Sequence, residues 1–200
     1  MKKTVECVTL QAQPPGAREC FELLREVDPG APFALFGGAV RDAQYAAHWG
    51  VPARLNDYDI RVWLPEDEHK ARTEDFVRRL GQVSGSEIEH KPSAGPSGRI
   101  RYYFTLGSGI ELDVSVRPPA TASLDVARVA IERAGDADAG LSSVAIAPDG
   151  SAWATPEFQA DIENRTISMY PRPNSGNRLP EYAERMQARF PDHEVVWLPS

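Results

Sequence analysis

Residues 33–64 read FALFGGAVRDAQYAAHWGVPARLNDYDIRVWL, and this stretch decides the fold. Its apolar start, Phe33 to Phe36, predicts a buried strand that stops at Gly37-Gly38. A helical pattern follows the glycine pair and ends at Gly50. A second strand is predicted to begin near Tyr58. The stretch therefore predicts a strand, a glycine pair, a helix and a second strand, in that order.

The glycine pair has the properties of a phosphate-binding turn. Residues without side chains at a helix start let backbone N–H groups approach a phosphate, and the helix dipole favours an anion there. Arg41 adds a guanidinium, which suits phosphate because it donates two parallel hydrogen bonds. We therefore expect Gly37, Gly38 and Arg41 to contact the phosphates of a nucleotide.

Two carboxylates follow at the start of the second strand. Asp57 and Asp59 flank Tyr58, and because side chains alternate along a strand, both carboxylates are expected on one face. Two neighbouring carboxylates repel each other unless a cation lies between them, and Mg²⁺ commonly binds one or two carboxylates plus substrate phosphates. The glycine pair and the acidic pair together predict a nucleoside triphosphate site.

The pattern Gly-Gly-Ala-Val-Arg-Asp followed by Asp-Tyr-Asp resembles the head domain of the polymerase-β-like nucleotidyltransferases, as found in tRNA nucleotidyltransferases (CCA-adding enzymes) and bacterial poly(A) polymerases. The matching residues are Gly37, Gly38, Arg41, Asp42, Asp57 and Asp59. The resemblance, which spans residues 33–168, implies an α+β fold with a mixed, mainly antiparallel sheet packed with helices on one side. It also implies metal-dependent transfer of an NMP from an NTP to an acceptor hydroxyl, with release of pyrophosphate.

A third carboxylate is expected on a neighbouring strand. Residues 99–116 predict a β-hairpin around Gly107-Ser108-Gly109. On its second strand Glu111 and Asp113 share one face, and the resemblance places a third acidic group on the strand beside Asp57 and Asp59. Because the segment ELDVSV resembles that acidic strand, we choose Asp113, and Glu111 stays as the alternative.

A second, weaker resemblance covers the later part of the chain. Asp161 to Ile167 (DIENRTI) matches the tail of the family's head domain, and Pro148-Asp149-Gly150 matches a turn before it. Where the family has Arg-Arg-Asp, this chain has Asp136, Ala137 and Asp138. The resemblance thus implies that Asp138 contributes to nucleotide binding, whereas the two arginines that help hold the nucleotide are missing.

Charge restricts the expected partners. The net charge is −7, and no strongly basic block is present. A protein that binds a long nucleic acid by itself usually carries a basic face. We therefore expect an NTP as substrate, with ATP the favoured nucleotide, and two Mg²⁺ (or Mn²⁺) ions held by Asp57, Asp59 and Asp113. The acceptor is expected to be small, held locally or presented by a partner, so an RNA 3′ end, a small molecule and a protein all stay open.

The remaining sequence features set the domain organisation and the compartment. Residues 1–135 are expected to form the catalytic head and residues 136–200 a small adjunct that completes it, without a separate RNA-binding or base-selecting domain. No apolar run approaches the length of a membrane span. Cys7 and Cys20 are too few for a disulfide framework, and a cytoplasmic location without membrane contact is expected.

Two other classes of function compete with the enzyme. The missing arginine pair favours, as the alternative, a catalytically degenerate nucleotide-binding module of the same fold. A Rossmann-type oxidoreductase is disfavoured, because residues 37–42 (GGAVRD) do not provide G-x-G-x-x-G. A P-loop is excluded, since the chain lacks G-K-[ST].

Overall fold

A computed structural model describes residues 3–64, 69–92, 100–117, 126–171 and 178–199. The strands in these ranges are β1 (Glu6–Val8), β2 (Phe33–Phe36), β3 (Asp57–Trp63), β4 (Glu89–Pro92), β5 (Ile100–Thr105), β6 (Glu111–Arg117), β7 (Val144–Ile146), β8 (Ala152–Ala154), β9 (Thr166–Met169) and β10 (Glu194–Trp197). The helices are α1 (Ala17–Val27), α2 (Gly38–Trp49), α3 (His69–Ser84), α4 (Val126–Gly135), α5 (Pro156–Asn164) and α6 (Arg178–Arg189), with a 3₁₀ turn at Gly140–Ser142. None of the helices in the described ranges combines the length and the apolar character needed to cross a membrane.

Eight of the strands form one sheet in the order β1-β8-β7-β2-β3-β6-β5-β4. Neighbouring strands are antiparallel except for the central pair β3 and β6, which run parallel. Strands β9 and β10 form a separate parallel pair. The predicted fold class, an α+β fold built on a mixed and mainly antiparallel sheet, is confirmed.

The order predicted for residues 33–64 is also confirmed. Strand β2 leads through Gly37 into α2, and α2 ends at Gly50, which adopts the left-handed conformation (φ 64°) typical of a helix C-terminus. Strand β3 then pairs antiparallel with β2, placing Leu35 opposite Ile60, and both side chains are fully buried. Buried apolar strands thus fix the turn at Gly37-Gly38 beside the start of β3.

The two faces of the sheet bury different side chains, because successive residues of a strand point in opposite directions. Leu35 and Ile60 belong to the larger core, which also includes residues of α1, α2, α3, α5 and α6. On the opposite face, Ala34 and Trp63 pack against Val129 of α4. Helix α4 therefore lies on a face that the predicted one-sided packing did not include.

The region after α4 differs from the sequence prediction in one detail. The sequence predicts that residues 141–146 and 151–154 pair as a hairpin around Pro148-Asp149-Gly150. The hairpin is present, but its first strand begins at Val144 rather than at Leu141. Residues 140–142 form the 3₁₀ turn instead, because Gly140 lies directly against the Asp161 carboxylate and the chain turns there. Strands β7 and β8 join the main sheet, so this hairpin borders β2. The sequence also predicts helices that start at residues 65–67 and at Leu124, and both of these starts lie outside the described residues.

Candidate active site

The pairing of β3 with β6 assembles a cluster of three carboxylates. The register places Asp59 beside Asp113 and Asp57 beside Glu111. Asp57, Asp59 and Asp113 each offer a carboxylate oxygen, and these atoms all lie within 4.8 Å of one another. Glu111 is exposed and lies outside this cluster. The structure thus brings together the three acids chosen from the sequence.

Asp59 is the carboxylate of this cluster whose charge is opposed both by burial and by a neighbouring negative charge. The pKa of its carboxyl group is raised to about 6, mainly by burial and in addition by the negative charge of Asp57. The positive charges of Arg101, Arg133 and Arg41 act against this rise. A buried carboxylate with a second carboxylate beside it is the arrangement that a divalent cation relieves, so the donor set fits Mg²⁺ or Mn²⁺.

Gly37 brings the helix start against the carboxylates. Its backbone angles are φ 74° and ψ −139°, a conformation that residues with a side chain rarely adopt. A β-carbon at this position would lie 2.6 Å from Oδ2 of Asp59, so a side chain would push the turn and the carboxylate apart. The first N–H groups of α2, which have no partner within the helix, therefore lie next to the acidic cluster.

A cavity of about 880 Å³ opens in front of these groups. Gly37, Gly38, Asp57 and Asp59 form one part of its wall. Among the described residues, six arginines also line it: Arg41, Arg101, Arg133, Arg178, Arg185 and Arg189. Sequence reasoning identified Arg41 but missed the rest of this basic wall, because the other members lie on β5, α4 and α6 and no block in the sequence collects them.

Arg41, which was predicted to contact phosphate, is nearly buried. Its Nε donates a hydrogen bond to Oδ1 of Asp42 at 2.7 Å, and its guanidinium lies 5.2 Å from the ring centre of Phe190. Arg189 of α6 pairs with the other oxygen of Asp42. Asp42 thus joins α2 to α6. Arg41 lies in the cavity wall, and its contact with phosphate stays a prediction.

Asp138, the second predicted nucleotide contact, also lines the cavity. Nη2 of Arg178 lies 3.3 Å from its Oδ2. The position of the missing arginine pair, at Asp136 and Ala137, is also part of the wall. Arg133 and Arg178 therefore bring guanidinium groups into the same cavity from α4 and α6, rather than from the residues directly before Asp138.

Arg101 is the residue of the cluster that sequence reasoning missed. From β5 its Nε donates to Oδ1 of Asp113 at 3.0 Å, and its Nη2 donates to Oδ2 of the same carboxylate. Nη2 also lies 3.7 Å from Oδ1 of Asp59. The signal was present in the predicted hairpin, because its register places Arg101 opposite Ser115, on the face that Asp113 shares.

Comparison with known proteins places the fold. No protein-family model matches the chain, and no curated protein matches its sequence. A solved structure of a CCA-adding enzyme with CTP matches 92% of this chain and 41% of that chain, with a TM-score of 0.62 at 18% identity. An apo form of a CCA-adding enzyme matches 88% of this chain and 39% of that chain, with a TM-score of 0.59 at 18% identity.

The chain thus spans about two fifths of the length of these CCA-adding enzymes. The similarity covers nearly all of the chain described above. It confirms, at the level of the fold, the predicted resemblance to the head domain of the polymerase-β-like nucleotidyltransferases.

Proposed function

We propose that the chain is a metal-dependent nucleotidyltransferase, which moves an NMP from an NTP to an acceptor hydroxyl and releases pyrophosphate. One observation carries the proposal: the carboxylates of Asp57, Asp59 and Asp113 converge within 4.8 Å, and Asp57 and Asp59 line a cavity whose wall also includes the Gly37-Gly38 helix start. Metal ligands beside a phosphate-binding helix start are what transfer from a triphosphate requires.

Asp57, Asp59 and Asp113 would hold Mg²⁺ or Mn²⁺. Cations bound there would neutralise phosphate charge and increase the acidity of the acceptor hydroxyl. The acceptor hydroxyl gives its proton to water, and its oxygen bonds to the α-phosphorus while the bond to the bridging oxygen of the leaving pyrophosphate breaks. No side-chain nucleophile takes part.

The other residues of the cavity orient the triphosphate. Backbone N–H groups at the start of α2 donate to phosphate oxygens, and the positive end of the helix dipole favours their charge. The arginine wall faces the same space and suits phosphate, because a guanidinium presents several N–H donors in a plane. The leaving pyrophosphate is stabilised by these groups.

We propose ATP as the first nucleotide to test, and CTP as the second. The similar CCA-adding structure holds CTP. Two arginines of α6, Arg178 and Arg185, have exposed side chains on the cavity wall. These two arginines could bind an acceptor that carries phosphate groups. An RNA 3′ end is therefore tested as acceptor, together with the hydroxyls of small molecules and proteins.

A catalytically degenerate nucleotide-binding module is the second candidate. Asp136 and Ala137 stand where the related motif has two arginines, and Arg101 engages both oxygens of Asp113. These two features favour binding without turnover.

The experiment that separates the two candidates incubates the purified protein with each labelled NTP, Mg²⁺ or Mn²⁺, and acceptors that include total RNA and the protein itself. Pyrophosphate release that disappears in Asp59→Asn supports the enzyme. Nucleotide binding without release supports the module. Asp75→Asn is the matched control, because Asp75 is an exposed aspartate on α3 outside the cavity. Absence of both binding and release contradicts both candidates.

A further inference from the structure

Arg101 supplies a positive charge to the acidic cluster from within the chain. Its guanidinium donates two hydrogen bonds to Asp113 and lies 3.7 Å from Oδ1 of Asp59. A two-pronged contact of this kind is the strongest that a guanidinium makes with a carboxylate. In the metal-free protein, Arg101 therefore balances part of the charge that a divalent cation would balance.

The contact covers Asp113 from the solvent side. Asp113 is only 2% exposed, whereas the Arg101 side chain is 42% exposed. Both carboxylate oxygens of Asp113 accept from Arg101, so the guanidinium holds a positive charge directly against the carboxylate and opposes a cation bound to the same oxygens. Asp57 and Asp59 have no such two-pronged partner among the described residues.

An aromatic ring and the cavity lie close to the Arg101 guanidinium. Its guanidinium carbon lies 5.5 Å from the ring centre of Tyr103 on the same strand, and the side chain faces the cavity that the other arginines line. A guanidinium released from Asp113 therefore stays near an aromatic face and in a space suited to phosphate oxygens.

We propose that Arg101 competes with the divalent cation for Asp113. Asp57 and Asp59 bind the first ion, and Asp113 becomes a ligand only when the guanidinium is displaced. A bound triphosphate offers the displaced guanidinium a new acceptor, which couples metal binding at Asp113 to the presence of nucleotide. This inference rests on the metal site of the proposed function and adds the order in which that site fills.

Binding of Mn²⁺ alone, followed by electron paramagnetic resonance of the free ion, tests the competition. Arg101→Gln is expected to bind the Asp113-dependent ion about tenfold more tightly than the wild type, because one positive charge has left the site. Arg78→Gln is the matched control: Arg78 also pairs with an aspartate, Asp75, but on the exposed surface of α3. Its isotherm should equal that of the wild type.

An Arg101→Gln isotherm that equals the wild-type isotherm, or shows weaker binding, would overturn the competition and leave Arg101 as a contact between strands. The Asp59→Asn variant distinguishes this outcome from a failure of the proposed function. If wild type and Asp59→Asn bind Mn²⁺ alike, the metal site itself is absent, and both proposals fail together.

A second measurement uses the wild-type protein, so it does not depend on the folding of a variant. Phenylglyoxal modifies accessible arginines, and mass spectrometry gives the rate at each residue. Mn²⁺ is expected to raise the rate at Arg101 severalfold, because its guanidinium leaves Asp113, while the rate at Arg78 stays constant. An Arg101 rate that is unchanged or lower at the highest Mn²⁺ concentration contradicts the inference.

Discussion

Asp59 and Asp161 are both aspartates pressed against a glycine, yet their surroundings differ. A β-carbon on Gly37 would lie 2.6 Å from Oδ2 of Asp59, and one on Gly140 would overlap Oδ2 of Asp161. Asp161 is fully buried. It accepts hydrogen bonds from the Ser168 N–H at 2.9 Å and from the Ser168 and Thr166 hydroxyls, each at 2.7 Å.

The comparison teaches how a structural carboxylate differs from one available for chemistry. Burial raises the pKa of both carboxyl groups, so the direction of the shift does not separate them. Their partners do. Neutral donors from β9 satisfy Asp161, and these donors lower its pKa in part. Asp59 is instead surrounded by charged groups, namely Asp57, Asp113 and Arg101, rather than by neutral donors. Its oxygens are therefore available for a cation.

The largest expected effect is on activity. Asp59→Asn removes a proposed metal ligand, so pyrophosphate release should fall by about a thousandfold or more while the fold stays intact. Release is measured with a labelled NTP, and folding by circular dichroism and thermal unfolding. Asp75→Asn should keep full activity. A collapse of the melting temperature in Asp59→Asn would show that Asp59, like Asp161, is structural.

At Asp161 we expect a loss of stability, whereas at Asp59 we expect a loss of activity. Asp161→Ala leaves a buried N–H and two hydroxyls without their acceptor, so the free energy of unfolding should fall by about 2–4 kcal/mol. Urea unfolding measures this loss. Asp161→Asn keeps one acceptor oxygen and should lose less. If Asp161→Ala unfolds at the wild-type urea concentration, the distinction between the two aspartates fails.

Substitution of Gly37, the glycine beside Asp59, is expected to have a smaller effect on the free energy of unfolding. Gly37→Ala forces an unfavourable backbone conformation and a contact with Asp59, which should cost about 2–3 kcal/mol of unfolding free energy and weaken Mn²⁺ binding. Gly50→Ala is the control: Gly50 also has a positive φ, 64°, but nothing lies within 4 Å of its β-carbon position. It should cost about 1 kcal/mol and leave Mn²⁺ binding unchanged. Equal losses of metal affinity in both variants would contradict the role given to the turn.

The smallest expected effect is on the pH dependence of the free energy of unfolding. The pKa of Asp59 is raised to about 6 in the folded, metal-free protein, against about 3.9 in an unfolded chain. The folded state thus holds the proton more tightly, so this contribution to stability is present below about pH 4 and lost as the pH rises to about 6. Since the side chain is 25% exposed, we expect a loss of about 1–3 kcal/mol.

Urea unfolding in EDTA at pH 4 and pH 7 measures this contribution as the difference between wild type and Asp59→Asn. Groups remote from the cluster titrate alike in both proteins, so the comparison isolates Asp59 together with the charged groups coupled to it. The wild type should lose more stability than the variant between the two pH values. Equal losses would mean that the Asp59 carboxyl group titrates as it does in water.

Local patterns made much of the site predictable. The apolar run, the glycine pair and the alternation of Asp57 with Tyr58 each determine structure within a few residues, and β2, α2 and β3 follow the prediction. The choice of Asp113 over Glu111 depended on a resemblance, and the parallel register of β3 with β6 brings Asp113 to the pair.

The basic wall of the cavity was not predictable in the same way. Arg133, Arg178, Arg185 and Arg189 reach the cavity only because α4 and α6 pack where they do, and no local pattern encodes that packing. The burial of Arg41 has the same origin, since Asp42 and α6 enclose it. Arg101 lay within reach of the sequence, because pairing the two predicted strands across Gly107-Ser108-Gly109 places it opposite Ser115.

A crystal structure with Mn²⁺ and a non-hydrolysable ATP analogue tests the central claim most directly. We predict anomalous density for Mn²⁺ between the carboxylates of Asp57 and Asp59, with the triphosphate against the Gly37-Gly38 turn. Mn²⁺ and nucleotide bound away from these four residues, or no binding at concentrations that saturate CCA-adding enzymes, would contradict the account.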